Sequence, residues 1–186
     1  RIAATSLAGS PRPLRLCYGG QVARIAGDQL DPRREALQLG AELIGSDSAA
    51  AAAEVVELAI SALEAIGASG ISVDFTLPDL VDTLAAEEFP LDAEQVAAVR
   101  RELDAKDAGA LKEAGGAAYL PLLYAAGPFD EAIGKLSQID ASGALASRIA
   151  GLRQIAERVA GRARLTLDPS ERHGFEYQSW FGFMIY

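Results

Sequence analysis

Residues 14–45, LRLCYGGQVARIAGDQLDPRREALQLGAELIG, read as two strands joined by a polar loop. In the second strand, 34–44, Ala36, Gln38, Gly40 and Glu42 share one face and Leu37, Leu39, Ala41 and Leu43 the other, because successive strand side chains point to opposite sides of a sheet. Gln38 and Glu42 therefore project together on either side of a glycine, as a polar platform on an apolar back. Gly40 removes the side chain that would fill the space between them, which lets a small ligand approach the backbone; an ordinary solvent-facing sheet surface is the alternative. The loop, 25–33, carries the turn formers Gly27 and Pro32. The charged residues there, Asp28, Asp31, Arg33 and Arg34, read as solvated rather than as contacts to a partner.

The rest of the chain extends this into an α+β pattern. Residues 1–9 read as the end of a helix with Ile2, Ala3 and Leu7 as its stripe and Gly9 as its stop. A helix follows over 49–66, capped by the serines of 46–48, with Val56, Ile60 and Leu63 at helical spacing. Residues 71–76 alternate as a strand, and Asp74 reads as a cap for a helix beginning at Pro78. Helical periods then recur at 80–86, 93–103, 108–114, 117–125 and 129–136, which makes 79–161 a mainly helical insertion and a candidate docking surface. Tyr119, Leu122, Leu123 and Tyr124 read as its small core. The longest helix is expected at 142–160, striped by Leu145, Ile149, Leu152, Ala156 and Val159. Residues 164–167 and 174–186 return to the sheet; in the last strand Phe175, Tyr177, Phe181, Phe183 and Ile185 take one face, and Glu176, Gln178 and Trp180 the other.

Composition narrows the function. With 186 residues, half of them apolar, one domain with a sizeable core is within reach. Seventeen basic residues against 26 acidic ones give a net charge of -9, which opposes binding to a phosphate backbone. There is no Lys/Arg run with interleaved aromatics, so nucleic acid is not an expected partner. No stretch approaches the ~20 apolar residues of a membrane span, and residue 1 onward lacks the layout of a signal peptide. The lone Cys17 cannot form an internal bridge, agrees with a reducing compartment, and reads as a buried structural thiol. His173, the lone histidine, has no second histidine, Cys/His pair or Ser/His/Asp set to work with, so it reads as a turn residue rather than a catalyst or zinc ligand. No P-loop or dinucleotide fingerprint is present.

Residues 16–45 resemble motif 2 of the class II histidyl-tRNA synthetase family, without a gap. The resemblance implies that Arg24 is the motif arginine that touches the activated carboxylate, and that Gln38 and Glu42 hold the amino group of bound histidine. GFEYQSWFGFMIY at 174–186 is similar to that family's histidine-recognition strand. The departures matter as much as the matches. The family's adenine-binding glutamate is Ala26 here, its adenine-stacking phenylalanine is Ala36, its phosphate-binding loop arginine is Pro32 and its catalytic arginine is His173. A mostly neutral imidazole lacks the permanent forked donor set of a guanidinium, and Arg172, one residue early, falls on the opposite strand face. The second pocket tyrosine is Gln178.

With RIAATSLAGSPRPLRLCY at the start and DFTLPDLV and DAKDAGAL in the middle, this combination resembles the non-catalytic paralogues of the synthetase, the family of ATP phosphoribosyltransferase regulatory subunits. It implies an antiparallel sheet of the class II synthetase core type with flanking helices. It further implies no turnover and no cofactor or metal, a cytoplasmic location, self-association, assembly with the short-form catalytic subunit, and histidine as a feedback ligand. Arg24, Gln38, Glu42 and Gln178 are the implied amino-acid-binding residues. A divergent histidyl-tRNA synthetase and a stand-alone amino-acid-binding paralogue are the alternatives. Relative to the family the sequence lacks motif 1, the Asp/Glu-x-Thr element and motif 3, so the core reads as cut at both ends.

Overall fold

Two antiparallel strands, β1 (Leu14–Ala23) and β2 (Glu35–Ile44), pair from Leu14↔Ile44 to Ala23↔Glu35. The computed structural model describes residues 2–25, 32–172 and 178–186. It divides into two compact units, Arg1–Val56 and Glu57–Tyr186. In the first, a 3-10 turn, Ile2–Ala4, replaces the expected helix end. Arg12 ties this turn to the ribbon by donating to the Ala3 carbonyl at 3.2 Å.

Helix α1 (Ala49–Ala65) begins where Ser48 Oγ accepts from the Ala51 N–H at 3.2 Å, the expected serine cap. It ends at Gly67, whose φ of 88° permits the left-handed turn that satisfies the last carbonyls. At 17 residues α1 exceeds α6 (Ala146–Val159, 14 residues), so the longest helix is not the one expected at 142–160.

The second unit is built on a four-stranded sheet in the order β4 (Gly127–Pro128), β5 (Arg164–Leu167), β3 (Ser72–Thr76), β6 (Gly182–Ile185). Antiparallel pairs predominate, as an α+β core requires, and β3 with β5 is the parallel exception. A parallel pair needs a long crossover. Here the crossover carries α2 (Leu80–Glu87), α3 (Ala93–Asp104), α4 (Ala108–Glu113), a 3-10 helix (Ala117–Tyr124), α5 (Phe129–Ile139) and α6. Val73, Phe75 and Leu167 from the sheet, Ile133 and Leu136 from α5 and Leu152, Ile155 and Val159 from α6 are fully buried. Phe75 meets Phe129 edge-on at 5.8 Å between ring centres.

Local chemistry explains the helix starts. Asp92 and Gln95 form a capping box on α3: the Gln95 N–H donates to Asp92 and the Asp92 N–H to Gln95, at 2.8 and 3.0 Å. Asp107 caps α4 through the Gly109 and Ala110 N–H groups. Asp74 does not cap; it accepts from Thr166 Oγ1 on the adjacent strand at 2.6 Å. Ala117–Tyr124 winds as a 3-10 helix, where Pro121 has no N–H to give and crowds an α-helical turn. Tyr119 and Leu122 are core as expected, whereas Tyr124 is 72 % exposed. Burial pushes the Tyr119 hydroxyl up to about 12, so it stays protonated and donates to the Phe89 carbonyl at 2.9 Å. No helix among the described residues is long and apolar enough to cross a membrane.

Candidate functional site

Antiparallel register decides what the ribbon presents. Residues directly opposite share a face, so Tyr18↔Gly40, Gly20↔Gln38 and Leu16↔Glu42 place those six on one side. The space above Gly40 is not open. A Cβ on Gly40 would lie 2.3 Å from the Tyr18 ring, which has swung across from β1 into the gap. Gln38 Nε2 donates to the Tyr18 hydroxyl at 3.1 Å. The expected ligand gap is therefore an aromatic seated on a glycine, a pairing that restores contact to a sheet position without a side chain. Reading one strand at a time hides Tyr18; the cross-strand pairing reveals it.

Arg24 lies one residue past β1, where its N–H donates to the Arg34 carbonyl at 2.7 Å. The pleat continued by one rung sets it on the Gln38 side. From the rung of Arg24 and Arg34, Gln38 stands four residues along β2 and Glu42 eight, or about 14 and 27 Å at the ~3.4 Å rise of a strand. The structure thus joins Gln38 to Tyr18 and leaves Arg24 and Glu42 toward opposite ends of one face. Both are exposed, so each is available to a charged ligand. Cys17 is also exposed, which corrects the reading of a buried thiol. It sits on the other face, opposite Ala41, and a two-stranded ribbon has no third layer of its own to cover that side. Leu37 and Leu39 on the same face are 72 % and 76 % exposed.

Gln178 belongs to the second unit and lies outside any strand, since β6 begins only at Gly182. Of the strand expected over 174–186, residues 174–177 lie outside the described residues, and 178–181 are not in a strand. Trp180 has a φ of 70°, in the left-handed region that a bulky residue enters only under constraint. The constraint is visible. Its ring lies over Gly151 of α6, where any Cβ would come within 2.3 Å of it. The Trp180 backbone N–H donates to Asp79, whose carboxylate also takes both Nε and Nη2 of Arg148, at 3.0 and 2.7 Å. Burial alone would raise the Asp79 pKa, but the Arg148 fork and the Trp180 N–H together hold it below its ordinary value. This anchor sits two residues along the chain from Gln178, whose Oε1 would lie 3.8 Å from a Cβ on Gly182. His173 and Ala26 fall outside the described residues; Pro32 and Ala36 are present as short side chains that cannot stack or fork. Among the described residues no group of three His, Cys, Asp or Glu could hold a metal.

Comparison with known proteins bears on the whole chain. The sequence model of the histidyl-tRNA synthetase family matches residues 1–186. Proteins named ATP phosphoribosyltransferase regulatory subunit are 41 % identical in Rhodospirillum centenum and 42 % in Paramagnetospirillum magneticum, each over all of this chain and half of the relative. The chain spans about half the length of the curated relatives it matches. A crystal structure described as an ATP phosphoribosyltransferase regulatory subunit/histidyl-tRNA synthetase from Bacillus halodurans superposes with a TM-score of 0.81 at 25 % identity, over all of this chain and 50 % of the other. The ATP phosphoribosyl transferase (HisG:HisZ) complex from Thermotoga maritima holds a chain of the same fold, with a TM-score of 0.66 at 15 % identity over all of this chain and 69 % of that one. The chain belongs to the histidyl-tRNA synthetase family, and within it is similar to the regulatory subunits of ATP phosphoribosyltransferase.

Proposed function

We propose that this chain is the core of a regulatory subunit of ATP phosphoribosyltransferase, without turnover of its own. The carrying observation is the 41–42 % identity, along its entire length, to proteins named for that role. The replacement of the family's nucleotide-contacting side chains by Ala26, Pro32 and Ala36 supports it, since neither alanine nor proline can stack on adenine or donate to a phosphate. In this reading the full-length protein works in the cytoplasm, associates with itself, assembles with the short-form catalytic subunit, activates it, and takes part in feedback by histidine. Of the residues the resemblance implies, Glu42 is the one proposed to meet the amino group of histidine; Arg24, about 27 Å away along the ribbon, is too far to hold the carboxylate of the same amino acid. Feedback follows only if histidine binds one quaternary state better than another.

Transferase activity of a short catalytic subunit, with and without the full-length protein and with and without histidine, tests this directly. Activation is the expected result, and Glu42→Ala should alter the histidine response while leaving activation intact. No activation and no co-migration of the two proteins would overturn the assignment. A second reading, a divergent synthetase, draws on the double description of the Bacillus halodurans relative. It requires histidine-driven exchange of pyrophosphate into ATP, and the expected rate is none.

A further inference from the structure

The 3-10 helix Ala117–Tyr124 sends two rows of side chains in different directions. With three residues to the turn, positions i and i+3 stack one above the other. Tyr119 and Leu122 therefore fall inward together and are fully buried, while Ala118, Pro121 and Tyr124 form one exposed row. An α-helix would rotate each of those three by about 60° from the last and break the row. α5 supplies the facing wall with Lys135, Gln138 and Ile139, which share a helix side at spacings of three and four. Between the two walls lies a groove of about 620 Å³, which Phe89 also lines.

The groove is built before any partner arrives. The Phe89 ring stands edge-on to Tyr119 at 5.5 Å, and its carbonyl accepts from the Tyr119 hydroxyl at 2.9 Å. Pro121 has a fixed φ, so little freedom is left to lose on docking. Tyr124, 72 % exposed, is the largest apolar surface here and a residue type that often dominates protein contacts.

Charge selects the partner. Among the described residues the lining holds one cation, Lys135, and no carboxylate. Lys135 is exposed and in no ion pair among the described residues; its Nζ reaches the Ala126 carbonyl only at 3.5 Å. Glu88, next to Phe89, is turned to the N–H groups of Ala141 and Ser142 at 3.0 and 3.3 Å. A two-fold pairing of this groove with its own copy would bring two lysines together with no acid on either side. The complement is a different surface, one that offers an apolar side chain with a carboxylate beside it.

We infer that the short-form catalytic subunit of ATP phosphoribosyltransferase docks in this groove, an apolar side chain lying between Tyr124 and Ile139 and a neighbouring carboxylate meeting Lys135. The inference rests on the regulatory reading and gives it a contact surface.

Sedimentation velocity of the full-length protein mixed with the short-form catalytic subunit tests it. Tyr124→Ala should weaken the association at least tenfold and Lys135→Glu to a similar degree, while Lys135→Arg should bind as the unaltered protein does. All three positions are exposed ones, so the unfolding midpoint and the self-association should not change. If the unaltered protein binds no catalytic subunit, the regulatory reading and the inference fall together. If it binds and Tyr124→Ala binds equally well, the inference alone is overturned. Loss of self-association in Tyr124→Ala would assign the groove to a second copy, and a lowered midpoint would assign it to another part of the same chain; either result overturns the inference.

Discussion

The β1–β2 ribbon and the β3-centred sheet use the same alternating code with opposite results. Along β3, Val73 and Phe75 are wholly buried, and Phe75 packs on Phe129 of α5 in the same unit. Along β2, Leu37 and Leu39 obey the same period and stand about three-quarters exposed. Alternation states which side chains go together; it does not state that anything covers them. Coverage comes from elements elsewhere in the chain, and for β3 the crossover back to β5 brings them.

This contrast can be broken by paired truncations. Phe75→Ala removes a ring packed against Phe129 and Phe181 and should cost about 3–5 kcal/mol in urea unfolding. Leu39→Ala at an equivalent alternating position should stay within about 0.5 kcal/mol. Equal losses would mean that the ribbon face is covered in solution. A smaller effect is expected at Asp79, which joins Arg148 to the Trp180 backbone. Asp79→Asn should cost about 1 kcal/mol at pH 7, its half-buried position keeping it below a fully buried pair. Because the folded pKa is depressed, this contribution is fully present above the unfolded carboxylate value of about 4 and is lost as pH falls through the lower folded value. Asp79→Asn should therefore flatten the acid limb of a stability profile measured by circular dichroism. The smallest effect belongs to the ribbon's own pair. A double-mutant cycle of Gly40→Ala and Tyr18→Ala should give a coupling of about 0.5–1 kcal/mol, because the added methyl collides only while the Tyr18 ring is there. Additive effects would return Gly40 to the role of an open ligand gap.

Much of the architecture was legible because short-range chemistry decided it. The strand 164–167 is β5 at both ends, and Ser48 caps α1 as the serines of 46–48 were expected to do. Pro121 stands in plain view within an apolar run at helical spacing, but that spacing does not separate a 3-10 from an α-helix. What stayed hidden depended on partners far along the chain. Asp74 finds Thr166, Trp180 finds Gly151 and is forced out of strand geometry, and Tyr18 crosses to Gly40. The same limit applies to function. The motif resemblance selected Arg24, Gln38 and Glu42, but only the register shows Gln38 already bonded to Tyr18 and the other two spread along the face.

The parallel β3–β5 pair also has a meaning in time. Asp74 and its β5 partner Thr166 are 92 positions apart. A ribosome adding about 5–20 residues per second needs roughly 5–20 s to deliver the second after the first, and β6 emerges later still. Through that interval Val73 and Phe75 have no strand beside them, and the helices that follow at once, α2 and α3, are the first local structure able to shelter them. The well-formed cap on α3 is thus placed where an early, self-sufficient helix is of most use to a nascent chain.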